Sequence, residues 1–151
     1  MRRRLVPAVL AWIAVLTLAG ASASAAAGRT FSVDLTGEAE VTAEGVPNQG
    51  DLDGSGTATI TINRGQGEIC WTIDVEDITL PAIAAHIHLG ASTTTGPVVV
   101  GLSPPDEEGT SSGCTTVDRE LAKAIAKNPD AYYVNVHTTE FPAGALRGQL
   151  G

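Results

Sequence analysis

An all-β domain, a Greek-key β-sandwich or flattened barrel with one short helix near residues 118–127, is the fold that the sequence predicts. Three observations point to it. Apolar and polar residues alternate with period two along several short segments, as in strands with one buried and one exposed face. Clusters of Gly, Pro, Asn and Asp separate those segments. Only one stretch carries helical spacing.

The first residues stand apart from that fold. Arg2, Arg3 and Arg4 precede an apolar run from Leu5 to Leu18, and the small residues "AGASASAAAG" follow. A basic start, an apolar run too short to span a bilayer and Ala-x-Ala sites are the layout of a secretory signal peptide. Residues 1–27 are therefore read as a signal peptide cleaved between 23 and 27, and 28–151 as one β domain. The expected location is secreted, extracellular or in the cell envelope, with no integral membrane segment after cleavage.

Within the domain, "TFSVDLTGEAEVT" sets Phe31, Val33 and Leu35 on one face. "GTATITINRGQGEICWTIDVED" reads as a hairpin: Ala58, Ile60 and Ile62 alternate with threonines, and Ile69, Trp71, Ile73 and Val75 follow a Gly-rich turn. "AIAAHIHLG" puts Ile83, Ala85, Ile87 and Leu89 on the apolar side, with His86 and His88 opposite. "PVVVGL" is a short apolar strand. In "DRELAKAIAKNP", Asp118 is the expected N-cap, Leu121 and Ile125 share a helix face, and Asn128-Pro129 stops the helix. "AYYVNVHT" turns Tyr132, Val134 and Val136 inward and Tyr133, Asn135 and His137 outward, and "ALRGQL" sets Leu146 and Leu150 opposite Arg147 and Gln149. Segments 28–54 and 103–113 are expected to be the least ordered.

Charge excludes one class of function. Without the three N-terminal arginines, six basic residues face seventeen acidic ones, a net charge of −11. Such a surface repels nucleic acid, whose binding needs Lys and Arg to neutralise phosphate. The two cysteines, Cys70 and Cys114, lack CxxC spacing, and in an exported chain they most simply pair as a disulfide.

Chemistry concentrates on the histidines. His86, His88 and His137 all fall on polar strand faces, and the i, i+2 spacing puts the first two on the same side. If their strands meet, three imidazoles converge on the outside of the sandwich. Neutral imidazole suits Cu, Zn, Ni or Fe, and three histidines with an open position can hold a reactive ion. The competing reading is three polar residues on a solvated face. No catalytic set rivals them: Ser111 and Ser112 of "GTSSG" sit in an expected loop without the G-x-S-x-G pattern. "GDLDGSG", residues 50–56, reads as a turn, since it lacks the twelfth-position Glu of a calcium loop.

"AAHIHLGASTTTGPVVVGL" and "NPDAYYVNVHTTEFPAGALRGQL", with the hairpin ending in "EICWTIDVED", resemble the CHRD domain, a module named after chordin and widespread in secreted bacterial proteins. The resemblance implies a β-sandwich of mostly unassigned biochemistry. A more distant likeness is to copper–zinc superoxide dismutases, whose copper ligands point outward from a Greek-key barrel. It would match His86 and His88 to the H-x-H pair, His137 to a later strand ligand and Arg147 to an anion-steering arginine. The bridging histidine and the zinc-binding cluster of the dismutases have no counterpart here, a departure that counts against dismutase activity and leaves a three-histidine copper site open.

Two functions follow from these readings. One is an extracellular interaction or structural module without metal, its partner a protein yet to be identified, in which Gly144 and Gly148 permit tight turns or bulges and Arg147 pairs with a carboxylate. The other is a metal-binding module, copper before zinc, with Tyr133 and Asn135 supporting the ligands and a copper-carrier or redox role as its extension. No catalytic residue is assigned in either.

Overall fold

The computed structural model describes residues 28–151; the expected signal peptide lies outside them. The chain runs through β1 (Arg29–Thr36), β2 (Ser55–Asn63), β3 (Glu68–Glu76), β4 (Ala84–Leu89), β5 (Val98–Leu102), β6 (Thr110–Thr116), α1 (Arg119–Lys127), β7 (Tyr132–His137) and β8 (Leu146–Gln149). The strands form one antiparallel sheet in the order β5-β4-β7-β8-β1-β2-β3-β6, curled into a nearly closed barrel. Contacts between the strand connections draw its two edges together. Ser111 Oγ on β6 donates to the Ser103 carbonyl just after β5 at 2.6 Å, and Ala82 N donates to the Pro105 carbonyl at 3.0 Å.

Alternation explains why the barrel closes. Val33, Leu35, Ile60, Ile73, Ile87, Val134, Val136 and Leu146 point inward and are almost fully buried. Each such side chain contributes about 1.5–3 kcal/mol by leaving water. Helix α1 adds Ala122, Ile125 and Ala126 to the same core, and Asp118 caps it by accepting from Glu120 N at 2.7 Å. Arg29 donates to the Ala126 carbonyl at the other end of α1. The Cys70–Cys114 disulfide links directly opposed residues of β3 and β6. Among the described residues no helix is long and apolar enough to cross a membrane.

Three expectations are corrected. Segment 28–54 contains β1, and its remainder is a packed loop, tied down by Asp51 N on the Ala145 carbonyl, Gly50 N on the Gly37 carbonyl and Asn48 N on the Glu38 carbonyl. Segment 103–113 runs into β6, so Ser111 and Ser112 stand in a strand and not a loop. Ser111 spends its hydroxyl on structure, receiving the Trp71 indole N–H at 3.1 Å while donating to Ser103. Ile83 and Leu89, expected on the apolar side, are 50% and 43% exposed, because they flank the part of β4 that faces the core.

One glycine fixes the seam beneath the candidate site. On β8, a Cβ at Gly148 would lie 2.2 Å from the Asp34 carbonyl oxygen and 2.4 Å from Val33 Cγ1. Only a residue without a side chain lets β8 approach β1 this closely.

Candidate metal centre

Strand pairing assembles the site. β4 and β7 run antiparallel with His86 opposite Asn135, His88 opposite Tyr133 and Ala84 opposite His137. His137 is thus diagonal to His86, within reach of a long side chain on the same face. The structure brings together the three histidines that the sequence analysis singled out: their nearest ring nitrogens all lie within 4.8 Å of one another. His86 Nδ1 is 3.4 Å from His137 Nε2. Two ligands of a tetrahedral ion held at 2.0–2.1 Å stand about 3.4 Å apart, so this pair already has the spacing of co-ligands.

Backbone carbonyls fix the tautomers. His88 Nδ1 is 2.9 Å from the Gly96 carbonyl and His137 Nδ1 is 3.1 Å from the Pro142 carbonyl. A carbonyl oxygen only accepts, so each ring donates through Nδ1 and leaves a lone pair on Nε2. Ligating histidines are held in the same way, their second nitrogen donating to a carbonyl. His88 Nε2 is buried and has no hydrogen-bond partner among the described residues. A buried nitrogen lone pair without a partner is costly unless something binds it. These residues therefore fit a metal ion.

The face they occupy is not the open one expected. His88 is only 9% exposed, whereas His86 and His137 are half-buried. The roof is made by the segments following β1 and β4, and Arg147 clamps it. Its Nη2 donates to the carbonyls of Ala91 and Thr94 at 2.7 and 3.0 Å, and its guanidinium carbon lies 3.5 Å from the centre of the Tyr133 ring. Tyr133 stacks on His88 with centroids 4.8 Å apart, and its hydroxyl receives Gly96 N–H at 3.3 Å. Gly96 thus holds His88 through its carbonyl and Tyr133 through its amide. Arg147 is 1% exposed, so it braces the roof and is not presented to solvent as an anion-steering residue would be.

The segment after β1 brings in a residue that the sequence did not single out. Glu40 is 4% exposed; its Oε1 accepts from Val41 N at 3.1 Å and sits 3.8 Å from Arg147 Nη1. Its Oε2 accepts from Asn135 Nδ2 at 2.5 Å, and Asn135 also donates to the Leu146 carbonyl at 3.0 Å. A carboxylate partner for Arg147 was expected; nothing in the pattern of "TGEAEVT" singled out Glu40 from its neighbours. Gly144, at φ +149°, leaves room for this carboxylate: a Cβ there would stand 2.2 Å from Glu40 Oε2.

Burial sets the protonation of the cluster. It lowers the pKa of His86 and of His137 below the ordinary 6.5, in His137 against the pull of the Pro142 carbonyl, and the neighbouring imidazoles lower both further. Both rings are neutral, and so ligand-competent, at neutral pH. Burial also raises Glu40 above 4.5, against the pull of Val41 N–H and Arg147, and lowers Arg147, against Tyr133 and Glu40. The signs of linkage differ. The two histidines contribute stability that is complete above pH 6.5 and is lost as pH falls through their depressed folded values. Glu40 contributes in the opposite sense, fully below pH 4.5 and less as pH rises through its folded value. Metal-free wild type should therefore lose more stability on acidification below pH 6.5 than a His86→Gln/His137→Gln variant, read from urea midpoints across the pH range.

Chemically, the cluster offers three imidazole nitrogen donors and no carboxylate or thiolate. That donor set suits borderline transition-metal ions and not calcium or magnesium.

No curated protein and no solved structure matches the chain. The dismutase likeness accordingly finds no support among known proteins. Residues 31–150 match the CHRD domain, which takes in β2 to β8, most of β1 and all three histidines. The protein belongs to the CHRD-domain family.

Proposed function

We propose that this protein is an exported CHRD module that binds one transition-metal ion through His86, His88 and His137, copper in preference to zinc. The observation that carries the reading is the state of the three rings. Two are pinned through Nδ1 by backbone carbonyls, and the buried Nε2 of His88 lacks a partner. Copper is favoured because divalent copper heads the order of affinities for a given nitrogen donor set. Export is supported by the basic, apolar and small-residue succession of residues 1–27 and by the disulfide, which persists in oxidising compartments. The module's role is binding, not turnover. The half-buried His86 and His137 favour a site that exchanges its ion with a protein partner or with solvent, as a copper carrier does.

When bound, copper would supply one-electron redox capacity and a Lewis-acid centre. The chain's own part is to present Nε2 of His88 and His137 beside Nδ1 of His86, keep the His86 and His137 rings neutral and shield His88 from water under the Gly96 segment.

Competition titrations with Cu(I), Cu(II) and Zn(II) test the reading. The expected result is one ion per chain, copper tighter than zinc, with affinity falling by more than about 100-fold in a His86→Ala/His88→Ala variant. Binding unchanged in that variant would refute the site. No binding by the wild type would leave a secreted β module that acts through a partner protein.

A further inference from the structure

We propose that the ion held by the three histidines keeps one coordination position for a small exogenous donor, admitted past Gly101 at the β5 edge of the barrel. This rests on the metal reading above and adds a ligand site to it.

The donor count comes first. His86, His88 and His137 form the cluster, and no carboxylate or thiolate of the described residues joins it. The Tyr133 hydroxyl receives Gly96 N–H, and the Glu40 carboxylate is taken up by Val41 N–H, Asn135 and Arg147. A three-nitrogen ion that prefers four ligands therefore completes its shell from solvent.

The second observation locates the opening. His88 lies beneath the roof, while His86 and His137 are half-buried, so the exposed side of the cluster faces away from Tyr133. β5 is an edge strand, and Gly101 is the residue opposite His86. Opposed residues project from the same face, so any side chain at 101 would stand beside the His86 imidazole. Gly101 has none, and a Cβ built there meets nothing within 4 Å. The other neighbour of His86 in this row, Asn135, is buried, as is Arg147 beyond it.

Chemistry then narrows the ligand. The nearby guanidinium is committed to the carbonyls of Ala91 and Thr94, and residues 28–151 carry a net charge of −11. Among the described residues, those opposite His86 are Gly101 and Asn135, and neither carries a charge to select anions. Selection is by size, for a monodentate donor of the dimensions of water, ammonia or azide.

Azide titration of the Cu(II)-loaded protein is the test, followed by the near-ultraviolet charge-transfer band and the electron paramagnetic resonance spectrum. Wild type should bind azide saturably. Gly101→Phe, at an exposed edge position whose backbone lies outside the left-handed region, should leave copper affinity unchanged and weaken azide at least tenfold. Gly101→Ala should change neither. Copper uptake without any azide response would overturn the open position, and equal azide affinity in the Phe variant would overturn the route past Gly101. Failure to take up copper would instead remove the metal reading, and this inference with it.

Discussion

Replacing Arg147 by alanine is expected to destabilise the protein by about 3–5 kcal/mol, the cost of leaving one member of a buried ion pair without its partner. The side chains of Arg147 and Glu40 are 1% and 5% exposed, and each charge is kept out of water. Alanine would strand Glu40, free the carbonyls of Ala91 and Thr94, and uncover one face of Tyr133. A loss of that size is a large fraction of the 5–15 kcal/mol typical of a folded domain. The urea midpoint reads it directly, provided that the slope of the transition is unchanged. In an Arg147→Met/Glu40→Gln double variant the loss should be much smaller than the sum of the single losses, because both charges leave together. Losses that simply add would show that the two groups act independently.

The second large effect is at the disulfide. Cys70 and Cys114 are separated by 44 positions, and releasing a loop of that length costs about 4 kcal/mol in the chain-entropy model. The bond staples β6, which borders the gap in the barrel and, among the described residues, pairs only with β3. A Cys70→Ser/Cys114→Ser variant should therefore unfold at lower urea, and reduction of the wild type should reproduce most of the shift. A loss below about 1 kcal/mol would mean that pairing of β3 with β6 already restrains the unfolded chain.

Most strands were legible because their two faces differ in polarity. Ile60 and Ile62 alternate with threonines, and Tyr132, Val134 and Val136 alternate with polar neighbours, so period two is visible. β6 was not legible for a physical reason. Its inward positions are Ser111, Gly113 and Thr115, none of them strongly apolar, and the bulk that Ser111 and Gly113 lack is supplied by Trp71 from the opposing strand. A strand that borrows its core contribution shows no apolar alternation of its own. The disulfide was readable from the cysteine count and the expectation of export.

The histidine cluster was half legible. Spacing in "HIH" gives the shared face of His86 and His88, and the outward side of β7 gives that of His137. Whether the face was wet depended on loops. The ring of His88 is buried because Arg147, near the end of the chain, pins Ala91 and Thr94 above it and holds Glu40 from the segment after β1. Such contacts join parts of the chain that are remote in sequence, and local patterning carries no trace of them. The H-x-H spacing could propose ligands; it could not show that one of them is a buried nitrogen without a partner.

Counting the imidazole nitrogens on copper in the loaded protein, by pulsed electron paramagnetic resonance together with X-ray absorption, tests the central claim most directly. Three imidazole ligands in the wild type, falling to two in His137→Ala, is the expected result. A copper signal with one imidazole or none, or one indifferent to the loss of His137, would contradict it.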